Sequence, residues 1–321
     1  MLGCGSIGRR HLRNLHALGS GALLAFDPQP AAAEGLTAEI GVATVTSLED
    51  VWAWRPDAVV VASPSHLHLS QARAALAGGA HLFVEKPVSH TMAGVPELAS
   101  AARAAGLVTM VGCNMRFHPG PAGVKRILDS QRLGRPFSAR IQTSSFLPDW
   151  RPTSDYRASY SASNECGGGA ILDCIHEIDL ALWYFGEGRL EAAAMRSATS
   201  IGLDVEGFAE LLIAHQQNTL SSVHLSFVQR DYRRGCQIAC EDGTIYWDFA
   251  EPVIRLVRGG ETTRESLPLD WAVNQMYLDE MSHFLDAVQA GRETMCPIEA
   301  GQRALALALA ARHAAQPSAA S

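Results

Sequence analysis

The sequence predicts an α/β fold, with an N-terminal doubly wound parallel sheet followed by an α+β region that has a large, open, mostly antiparallel sheet. Three observations lead to this class. Short apolar runs alternate with helical patterns up to about residue 118, which is typical of βαβ units. Strand-like segments then follow one another after Gly186. Two helical patterns close the chain.

The composition describes an ordinary globular protein that is long enough for two domains. Of its 321 residues, 47% are hydrophobic and 18% are charged. The net charge of -7 gives no basic surface of the kind that binds nucleic acid or a membrane surface, so we exclude these partners. The seven cysteines are scattered, so we expect no disulfide framework and predict a reducing, cytoplasmic location. No run of 18 apolar residues predicts a membrane span.

The first predicted domain, residues 1–118, alternates strands and helices. Gly19 ends the first predicted helix. Ser47 and Asp50 have the spacing of a capping box at the start of the second predicted helix. Predicted strands cover 22–26, 57–63, 81–85 and 107–112, and predicted helices cover 7–19, 47–54, 68–79 and 92–106.

In the second predicted domain, residues 119–321, strands and helices no longer alternate. The stretch AILDCIHEIDLALWYFG has apolar spacing that predicts one continuous helix from 170 to 186. Polar turns such as QQN and EDG join the later strands, which indicates antiparallel pairing. The other predicted helices cover 120–129, 273–290 and 299–314, and the predicted strands cover 137–146, 191–199, 207–214, 219–227, 235–249 and 253–258.

A glycine-rich loop lies at the start of the chain, in MLGCGSIGRRH. Gly3, Gly5 and Gly8 have the G-x-G-x-x-G spacing of loops that bring a dinucleotide pyrophosphate to a helix N-terminus. The run 22–26 then ends at Asp27, whose carboxylate would accept hydrogen bonds from adenosine ribose hydroxyls and repel a 2′-phosphate. The sequence therefore favours NAD over NADP. The alternative is a ligand-free helix N-cap with Asp27 as a turn residue.

Only Met1 and Leu2 precede the first glycine, whereas such a loop normally follows a buried strand. A central strand contributes packing that two residues cannot replace. We therefore expect the first strand to be truncated in this sequence, with additional N-terminal residues in the native chain.

Two further motifs, SPSHLH and EKP, follow predicted strands and so lie at the sheet edge where ligands bind in α/β proteins. His66 and His68 have no acidic partner nearby in the sequence, so we expect no metal site.

Lys86 is one of two lysines, with Lys125, in a chain that otherwise uses arginine. Because a partly buried lysine can release a proton and an arginine cannot, Lys86 is a candidate for proton chemistry. The alternative is an ion pair with Glu85.

Three glycines at 167–169 precede a predicted helix that carries Asp173 and His176. A spacing of three places both side chains on one helix face, where a carboxylate and an imidazole could point into one cleft. Histidine exchanges a proton near physiological pH. The alternative is a structural histidine.

Together, GCGSIG, SPSHLH, EKP, GCNMRFHP and GGGAILDCIHEID closely resemble the Gfo/Idh/MocA family of sugar and inositol dehydrogenases, and the likeness covers nearly the whole chain. The resemblance implies a Rossmann domain that binds NAD(P), then a domain that binds substrate and supports homodimers or homotetramers. Lys86, Asp173 and His176 match catalytic positions. The matching cofactor-binding residues are Gly3, Gly5, Ser6, Ile7, Gly8, Asp27, Ser63, Pro64, His68, Glu85, Lys86 and Asn114.

Substrate binding is predicted for the stretch after the last parallel strand, for the polar run 150–165 and for the predicted helix that carries Asp173 and His176. One departure from the family is the spacing of Asp173 and His176. Many members have this aspartate and histidine four positions apart with a glycine between them, whereas here they are three positions apart and Ile175 precedes the histidine. The predicted substrate-binding residues are Arg116, Tyr156, Arg157, Tyr160, Asn164, Asp173 and His176.

The predicted reaction is reversible hydride transfer between nicotinamide and a secondary alcohol of a sugar, inositol or nucleotide sugar. His176 would exchange the hydroxyl proton and Lys86 would polarise the oxygen, with both side chains facing a nicotinamide ring in the cleft between the domains. Two alternatives remain open. One is a glycosidase-like enzyme that oxidises the sugar transiently and eliminates; the other is a non-catalytic sugar or nucleotide sensor.

Overall fold

The computed structural model describes residues 1–150 and 155–315. The described chain forms two compact units, one of Met1–Asn114 with Val273–Gln302 and the other of Met115–Ala272 with the part of Arg303–Ser321 that is described. Residues 151–154 of the predicted substrate-binding run lie outside the described residues. No helix among the described residues is long and apolar enough to cross a lipid bilayer.

The first unit contains a parallel sheet, as predicted. Leu2, fully buried, forms parallel bridges with Phe26 on one side and Val61 on the other, so it joins the strand pair β1–β2 to the three strands β3–β4–β5. Neither β2 nor α2 was predicted. The elements are α1 (Ser6–Ala17), β1 (Leu24–Phe26), α2 (Leu36–Ile40), β2 (Ala43–Val45), α3 (Leu48–Ala53), β3 (Ala58–Val61), α4 (Ser65–Ala77), β4 (His81–Val84), α5 (Val95–Ala104) and β5 (Thr109–Val111).

The second unit is built on an eight-stranded sheet with the order β13-β12-β11-β10-β6-β9-β8-β7. Only the β6–β9 pairing is parallel within this sheet, so the prediction of a mostly antiparallel sheet is confirmed. The elements are α6 (Pro119–Asp129), β6 (Pro136–Phe146), α7 (Ala170–Asp173), α8 (His176–Phe185), β7 (Gly188–Ser197), β8 (Glu206–His215), β9 (Leu220–Ser226), β10 (Val228–Cys240), β11 (Gly243–Asp248), β12 (Val253–Arg258) and β13 (Glu261–Ser266).

Helices cover part of this sheet and set the position of the motif residues. α6 packs on β11 and β12, α7 packs on β8, and α8 packs on β6 and β9. Two helices follow the sheet: α9 (Gln275–Ala290), in the first unit, and α10 (Ile298–Ala314).

The prediction of one continuous helix over 170–186 is wrong. α7 ends at Asp173 and α8 begins at His176, and Cys174 between them has a ψ of +30°, outside the helical range. Asp173 and His176 therefore lie on two successive helices, and the argument that they share one helix face does not hold.

Candidate functional site

The glycine-rich loop has the geometry of a phosphate-binding turn. Gly3 adopts a φ of +93°, and a Cβ on Gly8 would lie 2.0 Å from the carbonyl oxygen of Gly3, so neither position accepts a larger residue. Gly5 and Ser6 are exposed at the start of α1, and no side chain caps this helix N-terminus. The exposed backbone amides and the helix dipole can therefore receive an anion.

Asp27 is held at the end of β1 beside this loop. Its carboxylate accepts one hydrogen bond from the backbone N–H of Cys4 (2.9 Å) and one from the backbone N–H of Gln29 (2.9 Å). The nearby Arg9 guanidinium donates to the backbone carbonyls of Ala32 and Glu34. A fixed carboxylate at this position fits the ribose of NAD and opposes the 2′-phosphate of NADP.

The segment after β3 is tied to the EKP turn by a buried imidazole. One ring nitrogen of His68 lies 2.8 Å from the carbonyl oxygen of Ser63, and the other lies 2.8 Å from that of Pro87. Burial lowers the pKa of His68, although both carbonyls oppose this shift. The structure thus places His68 between two strand ends. Pro64 precedes α4, and the Ser63 hydroxyl donates to Gln71 (2.7 Å).

The EKP turn follows β4 and is anchored through Glu85. The Glu85 carboxylate lies 2.7 Å from Nε2 of the buried His11, and its second oxygen accepts the backbone N–H of Lys86 (3.2 Å). Burial raises the pKa of Glu85, but the hydrogen bond and charge of His11, together with the charge of Lys86, hold it below its usual value. Lys86 itself is half-buried. Sequence reasoning missed His11, although it lies three residues after Gly8.

Asp173 is a buried carboxylate held by two hydroxyl groups. Tyr160 donates to one oxygen (2.8 Å) and Ser161 donates to the other (2.6 Å). His176, also buried, begins α8 three residues later. The structure therefore brings the predicted residues Tyr160 and Asp173 together and adds Ser161 as a second partner.

Two bidentate ion pairs hold the start of α8. Arg116 donates to Asp179 at 2.9 and 2.6 Å, and Arg234 donates to Glu177 at 2.7 and 3.2 Å. Each acidic side chain is almost fully buried. The guanidinium of Arg116, which we predicted to bind substrate, is thus engaged with the protein. Sequence reasoning missed Glu177 and Arg234, since 57 residues separate them.

The rest of the polar run has different partners. The Tyr156 hydroxyl donates to the carbonyl of Ile201 (2.8 Å), and the exposed Arg157 lies 4.8 Å from the Tyr156 ring centroid. Asn164 accepts from Arg312 at 3.2 Å. Asn114, predicted to bind cofactor, is buried at the end of the first unit.

The first unit combines a parallel sheet, a glycine loop at the uncapped start of α1 and a fixed carboxylate after β1. These features are those of a dinucleotide-binding unit of an oxidoreductase. The chain belongs to the Gfo/Idh/MocA family: the family model of an oxidoreductase with an NAD-binding Rossmann fold matches residues 1–113, and the model of the GFO/IDH/MocA C-terminal domain matches residues 122–246. The predicted family, the oxidoreductase class and the cofactor NAD are thereby confirmed.

Curated relatives match over most of the chain. An inositol 2-dehydrogenase from Acidothermus cellulolyticus is 28% identical over 304 residues, covering 91% of this chain and 84% of the relative. A 1,5-anhydro-D-fructose reductase from Ensifer adhaerens is 27% identical over 282 residues, covering 85% of this chain and 81% of the relative.

Solved structures show the same fold. A UDP-N-acetylglucosamine 3-dehydrogenase from Acidithiobacillus ferrooxidans has a TM-score of 0.81 and 25% identity, covering 98% of this chain and 95% of that chain. A levoglucosan dehydrogenase, solved with NADH and levoglucosan, has a TM-score of 0.89 with the same coverage, but at 19% identity the likeness concerns the fold alone.

Proposed function

We propose that this protein is an NAD-dependent dehydrogenase or reductase acting on a secondary alcohol of a sugar, an inositol or a nucleotide sugar. The observation that carries the proposal lies within the first unit. Gly3 and Asp27 directly follow positions in the parallel sheet, and Ser63 and Lys86 lie two residues after the ends of β3 and β4. All four therefore share the carboxyl edge where α/β sheets bind ligands. The names of the relatives describe ring-shaped polyhydroxylated substrates.

Lys86 and His176 carry the proton chemistry in this proposal. Bound NAD supplies the hydride acceptor, so the protein must stabilise charge on the substrate oxygen and remove its proton. His176 accepts the hydroxyl proton at a ring nitrogen, while the Lys86 ammonium donates a hydrogen bond to the same oxygen as negative charge develops on it. In the reverse direction, His176 returns the proton to the alkoxide.

Asp173 binds a neighbouring hydroxyl of the substrate. Its two oxygens already accept hydrogen bonds from Tyr160 and Ser161, which hold the carboxylate in one orientation. Each carboxylate oxygen has two acceptor positions, so an oxygen held in this way can also accept a hydrogen bond from a substrate hydroxyl. Tyr156, Arg157 and Asn164 are proposed to contact more distant substrate groups.

A cofactor-reduction screen tests this function. The full chain with NAD is offered inositols, free sugars and nucleotide sugars, and NADH absorbance is followed. We expect NADH to accumulate with members of one of these classes. Turnover of a sugar without NADH accumulation would instead indicate transient oxidation and elimination, and calorimetry that detects no NAD binding would overturn the proposal.

We propose residues 1–118 as the region that binds the dinucleotide and 119–321 as the region that binds substrate and forms oligomers. The family resemblance supports a homodimer or homotetramer, and size-exclusion chromatography with light scattering tests this.

All seven cysteines are free thiols, six of them buried, which supports a reducing, cytoplasmic location.

A further inference from the structure

The buried contact between His11 and Glu85 joins the phosphate-loop helix to the turn that carries Lys86. His11 lies on α1, and its side chain has no exposed surface. Its ring packs edge-on against Phe83 (5.2 Å between centroids) and Tyr277 (6.1 Å). These contacts fix the plane of the imidazole, so Nε2 is directed at the Glu85 carboxylate 2.7 Å away.

The Glu85 carboxylate is confined on its other sides. Its second oxygen accepts the Lys86 backbone N–H, and a Cβ on Gly112 would lie 3.1 Å from the carboxyl group. Glycine at 112 therefore leaves the room that this carboxylate occupies. A buried carboxylate needs hydrogen-bond donors, and the contact with His11, at 2.7 Å, is shorter than the contact with the Lys86 N–H, at 3.2 Å.

This arrangement ties two parts of the site to one helix. The N-terminus of α1 forms the glycine loop, and one turn further along, the same helix presents His11 to Glu85. A shift of His11 would move Glu85 and, through the backbone hydrogen bond, the peptide unit from which the Lys86 side chain extends.

We propose that His11 is a positioning residue, which holds the Glu85 carboxylate so that the Lys86 backbone, and with it the Lys86 ammonium, keeps its catalytic position relative to the phosphate loop. The inference rests on the proposed role of Lys86. Misplacement of a catalytic group by about 1 Å can lower the rate by about a hundredfold, so a small displacement would be measurable.

Matched amide variants test the proposal on the full chain. The amide of His11→Gln extends far enough to donate to Glu85, whereas that of His11→Asn is one methylene too short. We expect His11→Asn to lower kcat by about tenfold to a hundredfold, with NAD affinity by calorimetry and substrate KM near wild type. His11→Gln should recover most of kcat.

A second variant covers the case in which His11→Asn does not fold. Glu85→Gln keeps the side-chain shape but removes the charge, and we expect it to lower kcat by a larger factor than it lowers NAD affinity. The proposal would be overturned if Glu85→Gln and every His11 variant that folds had the wild-type kcat. It would also be overturned if kcat and NAD affinity fell by the same factor. If Lys86→Met itself keeps wild-type kcat, the proposed function of Lys86 fails instead, independently of His11.

Discussion

The guanidinium of Arg312 on α10 lies 2.8 Å from the Glu206 carboxylate at the start of β8. The same nitrogen donates to the carbonyl of Gly168 (2.6 Å), and the other Glu206 oxygen accepts the backbone N–H of Ile171 (3.2 Å). A Cβ on Gly169 would lie 2.3 Å from the Glu206 carboxylate. Arg312 and Glu206 thus fix the glycine turn from which α7 leads to Asp173.

Replacing Arg312 should destabilise this turn. Arg312→Met leaves the buried Glu206 carboxylate without its ionic partner, and we expect the free energy of unfolding to fall by about 2–4 kcal/mol. Urea denaturation of the full chain measures this change. Arg303→Met, at an exposed position on the same helix, is the matched control and should stay near wild type. Equal stability of both variants would contradict the role given to Arg312.

Removing the hydroxyl of Tyr160 should weaken substrate binding. Tyr160→Phe deletes a hydrogen bond that orients Asp173, and a hydrogen bond to a charged group contributes about 1.5–3 kcal/mol. We expect kcat/KM to fall by at least about tenfold, with unchanged NAD affinity. Tyr246→Phe, on β11, serves as the control. A wild-type kcat/KM in Tyr160→Phe would show that Asp173 does not depend on this hydroxyl.

Asp27 should determine cofactor choice. Asp27→Asn removes the negative charge beside the phosphate loop but keeps an oxygen acceptor for the Cys4 or Gln29 N–H. We expect NAD affinity to fall by about tenfold and the ratio of NADP to NAD affinity to rise, because the charge no longer repels a 2′-phosphate. Calorimetry measures both affinities, with the exposed Asp57→Asn as the control. An unchanged ratio would argue against Asp27 as the ribose contact.

His118 should make stability depend on pH. Its Nδ1 accepts the Gly120 N–H (3.0 Å) at the start of α6, and burial, aided by the charge of Arg234, lowers the His118 pKa to about 4. Because the unfolded pKa is about 6.5, protonation favours the unfolded chain. The stabilisation is complete above about pH 6.5 and is lost as the pH falls towards 4.

His118→Asn isolates this contribution, since asparagine also caps helices well. Between about pH 7 and pH 5, we expect the wild type to lose about 2 kcal/mol more of its free energy of unfolding than the variant loses. Urea titrations at the two pH values measure the difference, and the exposed His313→Asn should behave like the wild type. The same loss in His118→Asn and wild type would rule out His118 as its source.

The parts of the fold that local sequence determines could be predicted. Gly3 and Gly8 need glycine for backbone reasons that operate within a few residues. The runs that form β3 and β4 are short and mostly apolar, and β3 is rich in β-branched valine. β13 (Glu261–Ser266) was missed because its residues are polar and mostly exposed at the sheet edge, so no alternation of apolar residues indicates a strand.

The missed features of the site depend on partners distant in sequence. His11 and Glu85 are 74 residues apart, and Glu206 and Arg312 are 106 apart, so only the folded chain shows that each pair meets. The break at Cys174 was missed for another reason: apolar residues continue through it at nearly helical spacing.

The most direct test of the central claim compares the two lysines of the chain. With NAD and a substrate found in the screen, we expect Lys86→Met to lower kcat by at least about a hundredfold, while NAD affinity falls by a much smaller factor. Lys125→Met, which removes only the surface ion pair with Asp129, should keep the wild-type kcat. Turnover by Lys86→Met at the wild-type rate would contradict the account.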